Sequence, residues 1–230
     1  MQSNVVFTET LNLYDEPFTT AEMIERYSGV KRRSINKIIT TNKSDLEEFG
    51  VLRFQIAKPM KGSKGGRPKK IYQLNEEQAT LLITYLDNTP KVRAFKKELV
   101  RQFYAMKTEL LQRQLVRTSG KAGRREMTDA IKESPVLSDK WYVYSNFTKL
   151  LYKTALGYDV SKLREARRVD KKATPLDFLN KNELDALNKR QNQITTLIDL
   201  GMDYQAIKDV LSNQGVIYQT TLKIPEKARN

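Results

Sequence analysis

Apolar positions recur at helical spacing through most of the chain, and three short stretches alternate instead. Residues 4–14, NVVFTETLNLY, alternate imperfectly and predict a short strand. FTTAEMIERYSG predicts a short helix, with Thr19 as its cap, Glu22 completing a capping box and Gly29 stopping it. In VKRRSINKIITTNKSDLEEFG, Ile35, Ile38 and Ile39 form the buried stripe of a second helix. At 3.6 residues per turn Arg33, Lys37, Thr40 and Ser44 leave its opposite face, with Asn36 at the flank. VLRFQIAK and KKIYQLN then read as strands, through alternation of Leu52, Phe54 and Ile56 and, less regularly, of Ile71 and Leu74.

Helical periodicity returns at Asn75, which caps NEEQATLLITYL above an acidic first turn. A long helix follows over 91–117. Val92, Phe95, Leu99, Phe103, Met106 and Leu110 line one side of it at near-heptad spacing. The first half of that seam reads as core of a small domain. Leu99, Phe103, Met106 and Leu110 together predict a homodimer seam. TSGKAGRRE, residues 118–126, mixes Gly, Ser and cations and reads as a linker. Beyond it the pattern is helical throughout: MTDAIKES, an aromatic-rich segment closed by Gly157, a helix capped by Asn180 and Glu183, and a final amphipathic helix after Gly201. The expected fold is mainly α with a small β-hairpin. Its parts are a winged helix-turn-helix-like N-terminal domain (1–117), a long connecting helix, a linker (118–126) and an all-α C-terminal domain (127–230).

Composition narrows the chemistry. The 230 residues carry 41 Lys and Arg against 27 Asp and Glu, a net charge of +14 that points to an anionic partner. Cysteine and histidine are both absent, which removes disulfides, Cys/His metal sites, thiol nucleophiles and imidazole bases. No apolar run reaches membrane-span length and no leader opens the chain, so a soluble, cytoplasmic protein is expected. No cofactor is implied.

The charge is not evenly spread. The first thirty residues hold five acids and a single base, Arg26. Lys58, Lys61, Lys64, Arg67, Lys69 and Lys70 then crowd into KPMKGSKGGRPKK without an acid. Gly-Arg-Pro here is similar to an AT-hook, an arm for A·T-rich minor grooves. Flanked by two strands directly after a two-helix unit, the stretch is better explained as a wing tip, where Pro68 is tolerated. The second helix presents Arg, Lys, Asn, Thr and Ser without an acid on its open face, residue types that bond phosphates and base edges. A later cluster, Arg164, Arg167, Arg168, Lys171 and Lys172, reads as a phosphate contact, an acidic-partner contact or only a solvated face, the last weighing as much as the other two together. Aromatics around Phe147 read as core rather than as stacking platforms. Asp177, Glu183 and Asp185 are the carboxylates a nuclease would need. They fall around a helix start, where capping already accounts for Glu183, so no enzyme site is expected.

FTTAEMIERYSGVKRRSINKIITTNKSDLEEFG, GRPKKIYQLNEEQATLLITYL and KVRAFKKELVRQFYAMK, in that order and spacing, resemble the Rha family of phage regulatory proteins. RREMTDAIKESP, YSNFTKLLYKTALG and LIDLGMDYQAIKDVL look like the C-terminal region accompanying such domains in phages of low-GC Gram-positive bacteria. The resemblance implies a phage or prophage regulator in the bacterial host cytoplasm. Binding of double-stranded DNA to control transcription would fall to Lys31, Arg32, Arg33, Asn36, Lys37 and Thr40 on the helix and Lys64, Arg67, Lys69 and Lys70 on the wing. The alternative it implies is an antirepressor that inactivates a phage repressor protein through the C-terminal domain, with Arg164, Arg167, Arg168, Lys171 and Lys172 as contacts.

Overall fold

In the computed structural model, which describes residues 4–57, 70–137 and 142–222, helices dominate and three short strands form one antiparallel sheet. The chain divides into two units: residues 4–10 with 15–108, and residues 11–14 with 109–222.

The first unit starts with β1 (Phe18–Thr20), which runs straight into α1 (Ala21–Ser28). Thr20 caps α1, accepting from the Met23 N–H. Thr19, the expected cap, is instead fully buried and donates its hydroxyl to Val5 O at 2.6 Å. It sits within a strand, so its side chain points into the core rather than at the helix end. Residues 4–14 form no continuous strand; Phe7 makes a single antiparallel bridge to Phe18. Gly29 ends α1 in the left-handed conformation (φ 75°). The expected second helix is divided: α2 (Arg32–Thr41) stops at Asn42, and α3 (Lys43–Glu47) follows. Asn42 donates both its backbone N–H and its Nδ2 to Ile38 O, which ends the first run.

β2 (Arg53–Ile56) pairs with β3 (Lys70–Asn75), and β3 with β1, giving the sheet order β1-β3-β2. Asn75 and Gln78 form the capping box of α4 (Glu76–Thr84). The same amides reach back across the sheet. Asn75 Nδ2 donates to Phe49 O, and Gln78 Nε2 donates to Gly50 O and Leu46 O. This helix start therefore also fixes the turn that feeds the hairpin. Ile24, Ile35, Ile39, Leu46, Leu74 and Leu82 make the core, joined by Val92, Phe95, Leu99 and Phe103 of α5 (Pro90–Glu133).

That last contact corrects two expectations. Leu99 and Phe103 are 1% and 2% exposed in this core, Met106 packs half-buried against it, and Leu110 is also buried. A stripe covered by the chain's own helices is not free to meet a second copy. The supposed linker 118–126 is helical, and α5 continues through it to Glu133. Gly120 and Gly123 serve close packing within the second unit rather than flexibility: a Cβ on Gly120 would lie 2.4 Å from Asn188 Oδ1. The division between units accordingly falls between Thr108 and Glu109, inside α5, instead of at residue 117.

The second unit adds α6 (Val143–Leu156), α7 (Val160–Arg167), α8 (Pro175–Phe178), α9 (Lys181–Asp199) and α10 (Tyr204–Gln214). Phe147, Leu151, Ala155, Leu184, Leu187, Ile194 and Ile207 form its centre. Gly157 ends α6 and the Asn180–Glu183 capping box starts α9, both as expected. Asn188 Nδ2 of α9 donates to Val116 O and Ser119 Oγ of α5. Arg190 is 1% exposed with no carboxylate bonded to it among the described residues; it donates to Gln193 Oε1, Gln214 Oε1, Thr154 O and Gly215 O. Those bonds draw residues 215–220 over the end of α6. Ile217, Tyr218 and Thr220 there donate their amides to the free carbonyls of Thr154, Ala155 and Leu156. Among the described residues no helix is long and apolar enough to cross a membrane.

Candidate nucleic-acid interface

The sequence places two cations in the first turn of α2, Arg32 and Arg33, after an N-cap lysine that makes no side-chain capping bond. Positive charge at a helix N-terminus opposes the macrodipole, so each cation there needs compensation or a separate reason. Arg32 is compensated. Its Nη2 lies 2.8 Å from Glu25 Oε2 and 3.3 Å from Glu22 Oε1, both on α1. Glu25 Oε1 also accepts the Arg32 backbone N–H at 3.0 Å. One carboxylate thus caps α2 from outside and ties it to α1, which sets how the helix is presented. Arg32 belongs to the scaffold of the turn rather than to its open face. The Glu22/Glu25-to-Arg32 spacing across Gly29 was the available signal for this.

Lys31, Arg33 and Lys37 are exposed and in no ion pair among the described residues. Ile35 and Ile39, on the opposite side, are fully buried, so these cations face solvent as the periodicity predicts. Thr40 is exposed, but its hydroxyl donates to Asn36 O and Lys37 O. Asn36 departs further from expectation. Its Oδ1 is buried without a hydrogen-bond partner among the described residues. A bidentate contact to adenine needs both ends of the amide, so it requires this side chain to turn outward. Ser44 lies on α3, outside the α2 face, and bonds Asp45 Oδ1.

On the hairpin, Lys64, Arg67 and Lys69 lie outside the described residues. Lys70 is described and exposed. Its Nζ sits 4.1 Å from the Phe54 ring centroid, and Phe54 meets Tyr72 edge-on at 6.1 Å. Phe54 and Ile56 remain 44% and 62% exposed, so the hairpin base carries an open apolar-aromatic surface beside its cation.

In the second unit the five-cation cluster separates by role. Arg167 Nη2 bonds buried Glu183 Oε1 at 2.6 Å, and Arg164 Nε donates to Ala173 O. Both hold the fold together. Arg168, Lys171 and Lys172 are exposed and form no ion pair among the described residues. Arg168 takes a left-handed conformation (φ 51°), unusual for a side-chain-bearing residue, and closes α7. The carboxylates weighed for catalysis do not gather: Asp177 Oδ1 is 2.7 Å from Arg117 Nε, Glu183 is buried with Arg167, and Asp185 is exposed. Burial pushes the phenol of Tyr152 up to about 12, offset in part by Arg124 and Arg164 nearby.

No curated protein matches the chain. The family model described as phage regulatory protein Rha matches residues 19–108, a span that starts in β1 and ends at the last residue of the first unit. Over residues 19–108 the chain is similar to the phage regulatory protein Rha family.

Proposed function

We propose that this chain is a phage regulatory protein that acts by binding double-stranded DNA through a winged helix-turn-helix, with α2 in the major groove and the β2–β3 hairpin as the wing. The observation carrying this reading is the division of labour on α2. Arg32 is consumed by Glu22 and Glu25, whereas Lys31, Arg33 and Lys37 form no ion pair among the described residues and share a face without one acid. Cations left at a helix N-terminus against its dipole are suited to an incoming anion, and phosphate is the anion that DNA supplies. Arg33 is the side chain best placed to read a guanine edge, while Lys31, Lys37 and Lys70 meet phosphates.

A second reading has its own support in the other unit. Arg168, Lys171 and Lys172, exposed and in no ion pair among the described residues, stand at the turn after α7, in a form suited to an acidic protein surface such as that of a phage repressor. An antirepressor would use that turn and leave α2 idle.

Fluorescence anisotropy with the full chain and DNA flanking its gene separates the two. Arg33→Ala should cost about 1–3 kcal/mol on the preferred site and little on random DNA. Lys70→Ala should weaken both equally and lower the salt slope by roughly one unit. Loss of repressor capture on Lys171→Glu/Lys172→Glu, with DNA binding absent in the unmodified chain, would favour the antirepressor instead.

A further inference from the structure

The sheet of the first unit has one face on the core and one turned away from it. Leu74 of β3 and its partner Thr19 are fully buried on the core side. Alternation puts Gln73 on the other side, between Thr20 of β1 and Arg53 of β2. There it lines a recess of about 190 Å³, to which the chain before β1 brings Glu9 and Glu16 and the turn before β2 brings Phe49 and Val51. Every residue lining this recess belongs to the first unit.

Three side-chain amides border it, and two are spent. Asn75 and Gln78 are held by their capping box and by Phe49 O, Gly50 O and Leu46 O. Gln73 is only 9% exposed, yet its side chain makes no hydrogen bond among the described residues. A buried amide is normally bonded, so this one is placed for a group from outside. Glu9, Glu16 and Arg53 are exposed at the same recess and form no ion pair among the described residues. Two carboxylates and a guanidinium that do not satisfy one another are available in the same way.

We infer that the recess binds a free basic amino acid, arginine in preference to lysine. Such a ligand carries two cationic groups and one carboxylate, the inverse of Glu9, Glu16 and Arg53. Its cations meet the two carboxylates, its carboxylate meets Arg53, and the Gln73 amide bonds the group that reaches deepest. A planar guanidinium gains more than an ammonium from a bidentate carboxylate and from the Phe18 and Phe49 rings, which sets the preference. The excess of one acid disfavours a nucleotide, whose phosphates would meet Glu9 and Glu16. The site is independent of the DNA-binding reading, and it is assayed without DNA.

Calorimetric titration of the full chain with L-arginine tests it. Saturable binding with one site per chain is expected. L-citrulline, of the same shape without the side-chain charge, should bind at least about tenfold more weakly. L-argininamide, which lacks the carboxylate, should also lose about tenfold. Arg53→Ala should cost L-arginine about tenfold and leave L-argininamide unchanged, because that pair has already lost the contact. Glu9→Gln/Glu16→Gln should abolish binding with helical ellipticity unchanged, since both side chains are exposed. Gln73→Met, which keeps the length but not the amide, should weaken binding by about tenfold. No saturable heat with L-arginine, equal affinity for L-citrulline, or binding indifferent to Glu9→Gln/Glu16→Gln would each overturn the inference. Equal affinity for L-argininamide with indifference to Arg53→Ala would also overturn it, and would assign the recess to an arginine side chain of a partner protein.

Discussion

Two glycines three residues apart in α5 should respond to alanine with opposite signs. In an exposed helix Gly→Ala gains about 1 kcal/mol from propensity alone. At Gly123 the added Cβ would rest 3.4 Å from Asn192 Oδ1 and Gln191 Oε1, ordinary contact, so most of that gain should survive. At Gly120 it would lie 2.4 Å from Asn188 Oδ1 and 3.2 Å from its Cγ, and the amide must leave. Asn188 then loses its bonds to Val116 O (3.0 Å) and Ser119 Oγ (3.2 Å). At about 0.5–1.5 kcal/mol each, the loss of about 1–3 kcal/mol outweighs the propensity gain. Gly120→Ala should be destabilising by about 1 kcal/mol and Gly123→Ala stabilising by up to about 1 kcal/mol, a gap of about 2 kcal/mol. Urea unfolding followed by helical ellipticity measures both. In an Asn188→Ala background the Gly120→Ala effect should change sign, which isolates the contact as the cause. Equal stabilisation by both alanines in the natural background would show that residues 118–126 do not pack as described.

Two further predictions concern the second unit. Arg190→Met leaves Gly215 O short of its donor, at about 1–3 kcal/mol for the unsatisfied group, while Thr154 O keeps the Ile217 amide. Amide exchange over residues 215–220 should rise about tenfold or more, and unchanged protection would deny Arg190 its role over the end of α6. Tyr152 should resist ionisation until about pH 12. Its folded value lies above the ordinary 10.0, so the associated stability is complete below pH 10 and lost as pH rises through the folded value. A phenol titration in which every tyrosine ionises near pH 10 while the fold persists would contradict its burial.

Much of the first unit was legible because local signals agreed. Gly29, the Asn75 cap and the Ile35/Ile39 stripe each point the same way as the tertiary contacts around them, whereas β2 forms as a strand but leaves Phe54 and Ile56 of its alternating face exposed. Legibility failed where a residue's partner is distant in sequence. Thr19 and Thr20 are equivalent as caps on paper, and only the strand pairing of Thr19 with Leu74 turns one of them inward. Gly120 and Gly123 carry the composition of a linker, because Asn188, whose side chain fills the space at Gly120, lies far along the chain. The apolar seam of α5 was read correctly as periodic, but periodicity does not distinguish a partner in the same chain from one in another. On the candidate interface, charge and spacing identified the face of α2. Arg32 and Asn36 were misjudged because their environment depends on α1 and on side-chain rotation.

Selection of bound duplexes from a random pool by the full chain tests the central claim most directly. The DNA-binding account predicts enrichment of a defined motif that Arg33→Ala blurs at one or two positions and that Lys70→Ala leaves intact. A pool that stays random with the unmodified protein, or a motif indifferent to Arg33, would contradict α2 as the reading helix.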